Sequence, residues 1–150
     1  MSDSIYVING PNLGRLGNRQ PEVYGTATLS EIIAEVEKIA SEAGFEIKSI
    51  QSESESEIVE AIHRAIDEDA PIVINPGAFT HYSYAIADAL AQARSVVVEV
   101  HLSNPHSRES WRRRSVISPY VTGTISGFGK DSYKLAVLAV ISAKSVGKAG

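Results

Sequence analysis

Apolar positions along the chain recur in two rhythms that take turns. Short β-branched runs, Ile5-Tyr-Val-Ile8, Ile72-Val-Ile74 and the longer stretch from Ser95 to Leu102, read as strands buried on both faces. Phe45-Glu-Ile-Lys-Ser-Ile50 alternates apolar and polar residues as a half-exposed edge strand does. A fifth strand is predicted near 121–125. Between them the period changes to that of a helix. Leu29, Ile32, Ile33, Val36, Ile39, Ala40 and Ala43 fall on one face up to Gly44, and Ile58, Val59, Ile62, Ala65 and Ile66 fall on another. Both helices open with a capping box, Thr28 with Glu31 and Ser54 with Glu57. The acidic run Glu53, Glu55, Glu57 reads as a solvated helix start. An alanine-rich helix over 82–93, a short basic helix around 108–115, and a last helix from Tyr133 to Val146 closed by Gly147 complete the pattern.

Strand and helix thus alternate five times. With right-handed crossovers this predicts an α/β three-layer sandwich around a five-stranded parallel sheet, doubly wound and flavodoxin-like. No internal repeat or linker divides the chain, so a single domain over 1–150 is expected, and 150 residues suffice to bury roughly 68 to 70% of the unfolded surface. A hydrophobic fraction of 43% and a charged fraction of 21% are those of a soluble globule. The 18 acids against 14 bases leave a net charge of −4, which disfavours nucleic acid as a partner. Without cysteine there is no disulfide, thiolate metal site or thiol nucleophile. No basic leader and no run long enough to span a bilayer are evident, so no membrane partner and a cytoplasmic location are expected.

In such a sheet ligands bind beyond the carboxyl ends of the strands. Three strands end alike, in Asn9-Gly-Pro-Asn12, in Asn75-Pro-Gly-Ala-Phe-Thr-His81 and in His101-Leu-Ser-Asn-Pro105, so Asn12, Asn75, His81, His101 and Ser103 are expected at one edge. The stretch Arg15-Leu-Gly-Asn-Arg19-Gln-Pro-Glu-Val-Tyr24-Gly25 leaves the first strand there and carries Gly14, Gly17 and Gly25 as hinge positions. It reads as a lid. A phenol has a pKa of roughly 10, but a guanidinium at about 4 Å in an effective dielectric near 20 favours the phenolate by up to about 4 kcal/mol, worth about three units. Tyr24 beside Arg19 is then a base near neutral pH. Taken alone, the same eleven residues also fit an ordinary polar loop whose tyrosine caps a core edge, and the asparagines also fit turn positions.

His101, leaving a buried strand, is the best-placed general acid, whereas His63 and His106 read as surface residues. Within 108–114 only Arg108 and Arg112 share a helix face, so one arginine reaching a substrate oxygen is favoured over a nucleic-acid surface. Asp88 follows His81 by two helical turns and could face the same rim. Dinucleotide and phosphate-loop glycine patterns, the hydrolase elbow, metal-ligand spacing of the histidines and a buried Schiff-base lysine are all missing. What remains is acid and base work on a small polar molecule with no cofactor and no metal. Two rivals stay open: a module that binds a small anion without turning it over, and a nucleotide or flavin binder.

The ordered motifs Asn9-Gly-Pro-Asn-Leu13, Leu16-Gly17, Arg19-x-Pro21-x-x-Tyr24-Gly25, Gln51-Ser52, Ile74-Asn-Pro76, Thr80-His81-x-Ser83, Glu99-Val-His-Leu-Ser-Asn-Pro105, Arg108-Glu109 and Arg112 resemble type II 3-dehydroquinate dehydratases. The likeness extends through Gly123, Gly127, Gly129 and Tyr133. It implies the shikimate-pathway dehydration of 3-dehydroquinate to 3-dehydroshikimate by a flavodoxin-like subunit in a homododecamer, a tetramer of trimers. By that resemblance Tyr24 is the base and Arg19 holds it as phenolate. Asn12 holds a water at the enolate, His101 is the acid and Glu99 orients it. Asn75, Leu102 and Ser103 would hold the substrate carboxylate and His81 and Arg112 its hydroxyls, with Asp88 contributing across the trimer contact. The chain departs from the family's usual residues at 53–56, Tyr82, Ala87 and Trp111, none of them a catalytic position.

Overall fold

The computed structural model describes residues 3–149. Five strands, β1 (Asp3–Asn9), β2 (Phe45–Gln51), β3 (Ile72–Asn75), β4 (Val97–His101) and β5 (Gly123–Ser126), form one parallel sheet in the order β2-β1-β3-β4-β5. Alternate residues of each strand feed opposite layers. Ile5, Val7, Val73 and Val100 pack with α2 (Leu29–Glu42) and α5 (Asp131–Ala149), while Tyr6, Ile8, Ile72 and Ile74 pack with α3 (Glu55–Asp67) and α4 (Tyr84–Leu90). The three-layer flavodoxin-like architecture is therefore the one expected, with β2 half-exposed at an edge. A further one-turn helix, α1 (Pro21–Tyr24), lies inside the predicted lid.

Helix starts follow the side chains that satisfy the first amides. Thr28 accepts from Glu31 N–H at 3.2 Å and Ser54 from Glu57 N–H at 3.4 Å, as the capping boxes require. The alanine-rich helix expected over 82–93 spans only Tyr84–Leu90; it starts late because Ser83 Oγ takes the Ile86 N–H at 3.1 Å and 77–81 is occupied by a 3₁₀ turn. The predicted basic helix over 108–115 is absent: its place is taken by 3₁₀ turns at Pro105–Ser107 and Ser110–Arg112, pinned by Asn104 and Glu109 instead of by a continuous apolar stripe. β4 and β5 each begin two residues later than expected. α5 runs past Gly147, since one glycine costs a helix only about 1 kcal/mol.

The winding reverses between β1 and β3, and the two strands are in register so that Asn9 lies opposite Asn75. Beyond them the backbones of Gly10 and Pro76 touch. A β-carbon at Gly10 would stand 2.3 Å from the Pro76 carbonyl oxygen, so no other residue brings these two loops this close. Behind the reversal the buried Tyr133 hydroxyl donates to Asn9 Oδ1 at 2.5 Å and accepts from Asn75 Nδ2 at 3.0 Å. Burial holds that phenol well above the usual tyrosine range, so it is a fixed strut and not a proton carrier.

Candidate active site

A cleft of about 280 Å³ opens at the winding reversal, lined by Asn12, Arg19, Tyr24, Asn75, His81 and His101 among others. Leu102, Ser103, Arg108 and Arg112 complete the wall on the β4 side. Ten of the eleven residues expected of the site are thereby on or beside one space: nine line it, and Glu99 stands directly behind His101. Asp88 is the exception. It sits on the exposed face of α4, away from the cleft, although its neighbour Ala87 is buried. Every charged residue lining the cleft is a cation, within a chain whose net charge is −4. The cleft is thus a local positive trap for an anion.

Tyr24 ends the one-turn helix of the lid, between Gly17 and Gly25, both at positive φ; Gly14 instead lies in a 3₁₀ turn at negative φ. The Arg19 guanidinium carbon lies over its ring, 4.9 Å from the centroid. A second cation, Arg108, lies 5.0 Å from the same centroid and also donates to Ser103 Oγ at 3.1 Å. Sequence reasoning missed Arg108 as a partner of the tyrosine, because 84 positions of chain separate them and neither its spacing to Arg112 nor the Arg108-Glu109 motif points to a tyrosine. A larger hollow of about 650 Å³ adjoins the other side of Tyr24 and Arg108, but it reaches neither histidine nor Asn12 and Asn75.

His101 and Glu99 stand two apart on β4, on one side of the strand. The imidazole Nε2 lies 2.6 Å from Glu99 Oε2, which leaves Nδ1 for chemistry. Glu99 is 1% exposed. Burial pushes its carboxyl up, yet donors from His101, Thr80 and Ser118, with the charge of His101, outweigh that and hold it below the usual carboxylate range. His81 Nδ1 meets the Arg114 carbonyl at 2.7 Å and its ring stands edge-on to Trp111. Burial pulls its pKa below the ordinary histidine value, partly opposed by the Arg114 carbonyl, so His81 is a neutral hydrogen-bonding group at pH 7.

The polar groups for an anion are likewise preset. Asn75 Oδ1 accepts from Gly77 N–H at 3.1 Å while Nδ2, tied to Tyr133 by one hydrogen, carries a second. Arg112 is clamped by Glu109 at 2.7 Å and stacks 4.0 Å from Trp111, which fixes the direction of its remaining donors. Asn12 sits at φ 71, a left-handed turn position, and its N–H donates to the Glu53 carboxylate at 2.9 Å. The arrangement can bind a carboxylate, take a proton with one arm and give a proton with the other.

The family model described as Dehydroquinase class II matches residues 3–141. A 3-dehydroquinate dehydratase of Kineococcus radiotolerans is 50% identical over 133 residues, covering 89% of this chain and 91% of that protein. One of Bacillus licheniformis is 49% identical, covering 89% and 92%. The crystal structure of the type II dehydroquinase from Propionibacterium acnes superposes with a TM-score of 0.91 at 46% identity, covering 95% of this chain and 98% of that one.

Proposed function

Because the chain belongs to the class II dehydroquinase family, we propose that it removes water from 3-dehydroquinate to give 3-dehydroshikimate, a hydro-lyase reaction that runs through an enolate with Tyr24 as base and His101 as acid. The observation that carries this reading is the Tyr24 ring held beside two guanidiniums, on the wall of the same cleft as the Glu99–His101 pair. Arg19 and Arg108 stabilise the phenolate, which takes the proton from the carbon next to the ketone. The electron pair left behind moves onto the carbonyl oxygen, where a water held by Asn12 meets the charge. The enolate then collapses, the carbon–oxygen bond to the departing hydroxyl breaks, and His101 Nδ1 supplies the proton that makes it water. Tyr24 returns its proton to solvent, and His101 takes one back.

Asn75, the Ser103 hydroxyl and the amides of Leu102 and Ser103 hold the ring carboxylate, while His81 and Arg112 hold ring hydroxyls. Closure of the lid over 15–25 excludes bulk solvent and leaves the enolate only the water held by Asn12. Asp88 lies outside the cleft of its own chain and contributes to a neighbouring subunit, within a dodecamer built as a tetramer of trimers. The reaction needs no cofactor and serves the shikimate pathway to aromatic amino acids; among the described residues no helix is long and apolar enough to cross a membrane.

The test is ultraviolet absorbance of the conjugated enone on mixing with 3-dehydroquinate. Turnover is expected in the wild type and a loss of about 10³-fold in Tyr24→Phe, with the fold and carboxylate binding kept, since a positioned general base contributes roughly 10² to 10⁴. An anion-binding module would give no absorbance in either protein. Undiminished turnover in Tyr24→Phe would rule out the base assignment.

A further inference from the structure

Glu99 has more donors around it than orienting a histidine requires. Thr80 Oγ1 donates to Oε2 at 2.5 Å, Ser118 Oγ to Oε1 at 2.9 Å, and Ser115 Oγ lies 3.0 and 3.1 Å from the two oxygens. These three hydroxyls arrive from two separate segments. Thr80 belongs to the 3₁₀ turn after β3, and Ser115 and Ser118 belong to the loop that leads to β5. The segments are sewn together: Val116 N–H donates to the Thr80 carbonyl at 2.8 Å, and Ser115 Oγ accepts the Ser118 N–H at 3.0 Å. A buried carboxylate with a single imidazole partner would tend to take the proton and neutralise the pair. Here each oxygen is met by hydroxyl donors that prefer the charged form.

We propose that Thr80, Ser115 and Ser118 are positioning residues that hold Glu99 as a fixed anion, and so set how tightly His101 keeps the proton it gives to the leaving hydroxyl. This rests on the reading of His101 as the acid. The sign follows from charge. Donors to a carboxylate stabilise its negative form, so removing one raises the proton affinity of the carboxylate–imidazole pair as a unit. His101 then keeps its proton to higher pH and parts with it more slowly. Other charged groups face the pair: His81 and Arg112 across the cleft, Tyr24, Arg19 and Arg108 on the lid side, and His106, Arg113 and Arg114 around a second cavity beyond Glu99. None of them is bonded to Ser115 or Ser118 by its side chain, so a hydroxyl deletion leaves their charges in place.

The experiment compares pH profiles of kcat for wild type, Ser115→Ala, Ser118→Ala and Ser115→Thr. One hydroxyl is worth about half to one pH unit, so Ser115→Ala is expected to move the alkaline limb up by that amount and to lower kcat about fivefold. The ascending limb governed by Tyr24 and the KM should stay where they are, and Ser115→Thr should restore the wild-type limb. In parallel, the His101 imidazole is titrated by ¹⁵N NMR in the substrate-free protein, its signals assigned with His101→Asn; the same upward shift is expected. A fall in kcat with neither limb nor NMR titration displaced would overturn the proposal, as would equal displacement of both limbs. Should Ser115→Ala fail to fold, Ser118→Ala carries both measurements. Full turnover in His101→Asn would sink the acid assignment itself, whereas an inactive His101→Asn beside an unshifted Ser118→Ala would sink only the role of the hydroxyls.

Discussion

The Arg108 guanidinium carbon lies 5.0 Å from the centre of the Tyr24 ring, no farther than Arg19 at 4.9 Å in practical terms, and Arg108 is also hydrogen-bonded to Ser103 in the wall of the cleft. One cation therefore belongs to the same segment, 15–25, as the tyrosine, and the other is anchored to the loop after β4, so the positive surroundings of the ring are assembled from two parts of the chain. Arg108→Ala is expected to lower kcat about ten- to a hundredfold and to move the ascending limb of the activity profile to higher pH, because a lost cation destabilises the phenolate. Arg19→Ala should move it the same way. Steady-state kinetics across pH 5 to 10 checks both; an unmoved limb in either variant would remove that arginine from the pairing.

Tyr133 braces the floor of the cleft from behind. Tyr133→Phe leaves Asn9 Oδ1 and one Asn75 hydrogen without their buried partner, at a cost of about 1 to 3 kcal/mol. We expect a Tm lower by about 3 to 8 °C and a raised KM with a smaller change in kcat, since Asn75 is read as holding the substrate's carboxylate. Calorimetry together with Michaelis curves would show it. An unaltered KM would separate the brace from substrate binding.

Gly10 is required by contact with backbone and not with a side chain that could swing aside. Gly10→Ala must push the two strand-end loops apart and should cost about 2 to 3 kcal/mol, seen as a Tm drop of about 5 to 10 °C. Gly25→Ala meets no atom within 4 Å and strains only its own φ of 82°, so a smaller drop is expected. Thermal melts of the two variants side by side make the comparison; a milder effect at Gly10 would contradict the close approach.

His81 makes the folded state sensitive to mild acid. Its pKa is pulled below the unfolded value of about 6.5, so below that pH the unfolded chain binds more protons than the folded one. Its contribution is therefore fully present above pH 6.5 and is lost as pH falls toward the lower folded value. His81→Gln should shrink the decline of Tm between pH 7 and pH 5 by about one degree. Glu99, also lowered, acts in a more acidic window, below the usual carboxylate range, and should leave that interval unaffected. Equal declines in wild type and His81→Gln would refute the sign.

Local order was legible from the residues because it is decided locally. Thr28, Ser54 and the apolar periods after them specify where α2 and α3 begin and which face each buries, and the β-branched runs specify strands covered on both sides. The rule that sites form past the carboxyl ends of parallel strands then places Asn12, Asn75, His81 and His101 at one edge from the sequence alone. The segment from Pro105 to Tyr120 resisted such reading. Its 3₁₀ turns are one turn long, held by side chains such as Asn104, Glu109 and Ser115, and carry no period to detect.

Folding alone decided the partnerships. Arg108 against Tyr24, Tyr133 between Asn9 and Asn75, and the hydroxyls of Thr80, Ser115 and Ser118 around Glu99 each join residues far apart in the chain. A period names the face a side chain turns to, and a strand end names the neighbourhood it enters. Which group waits for it there depends on how the layers close over the sheet, and on the demand that every buried polar atom find a partner once they have.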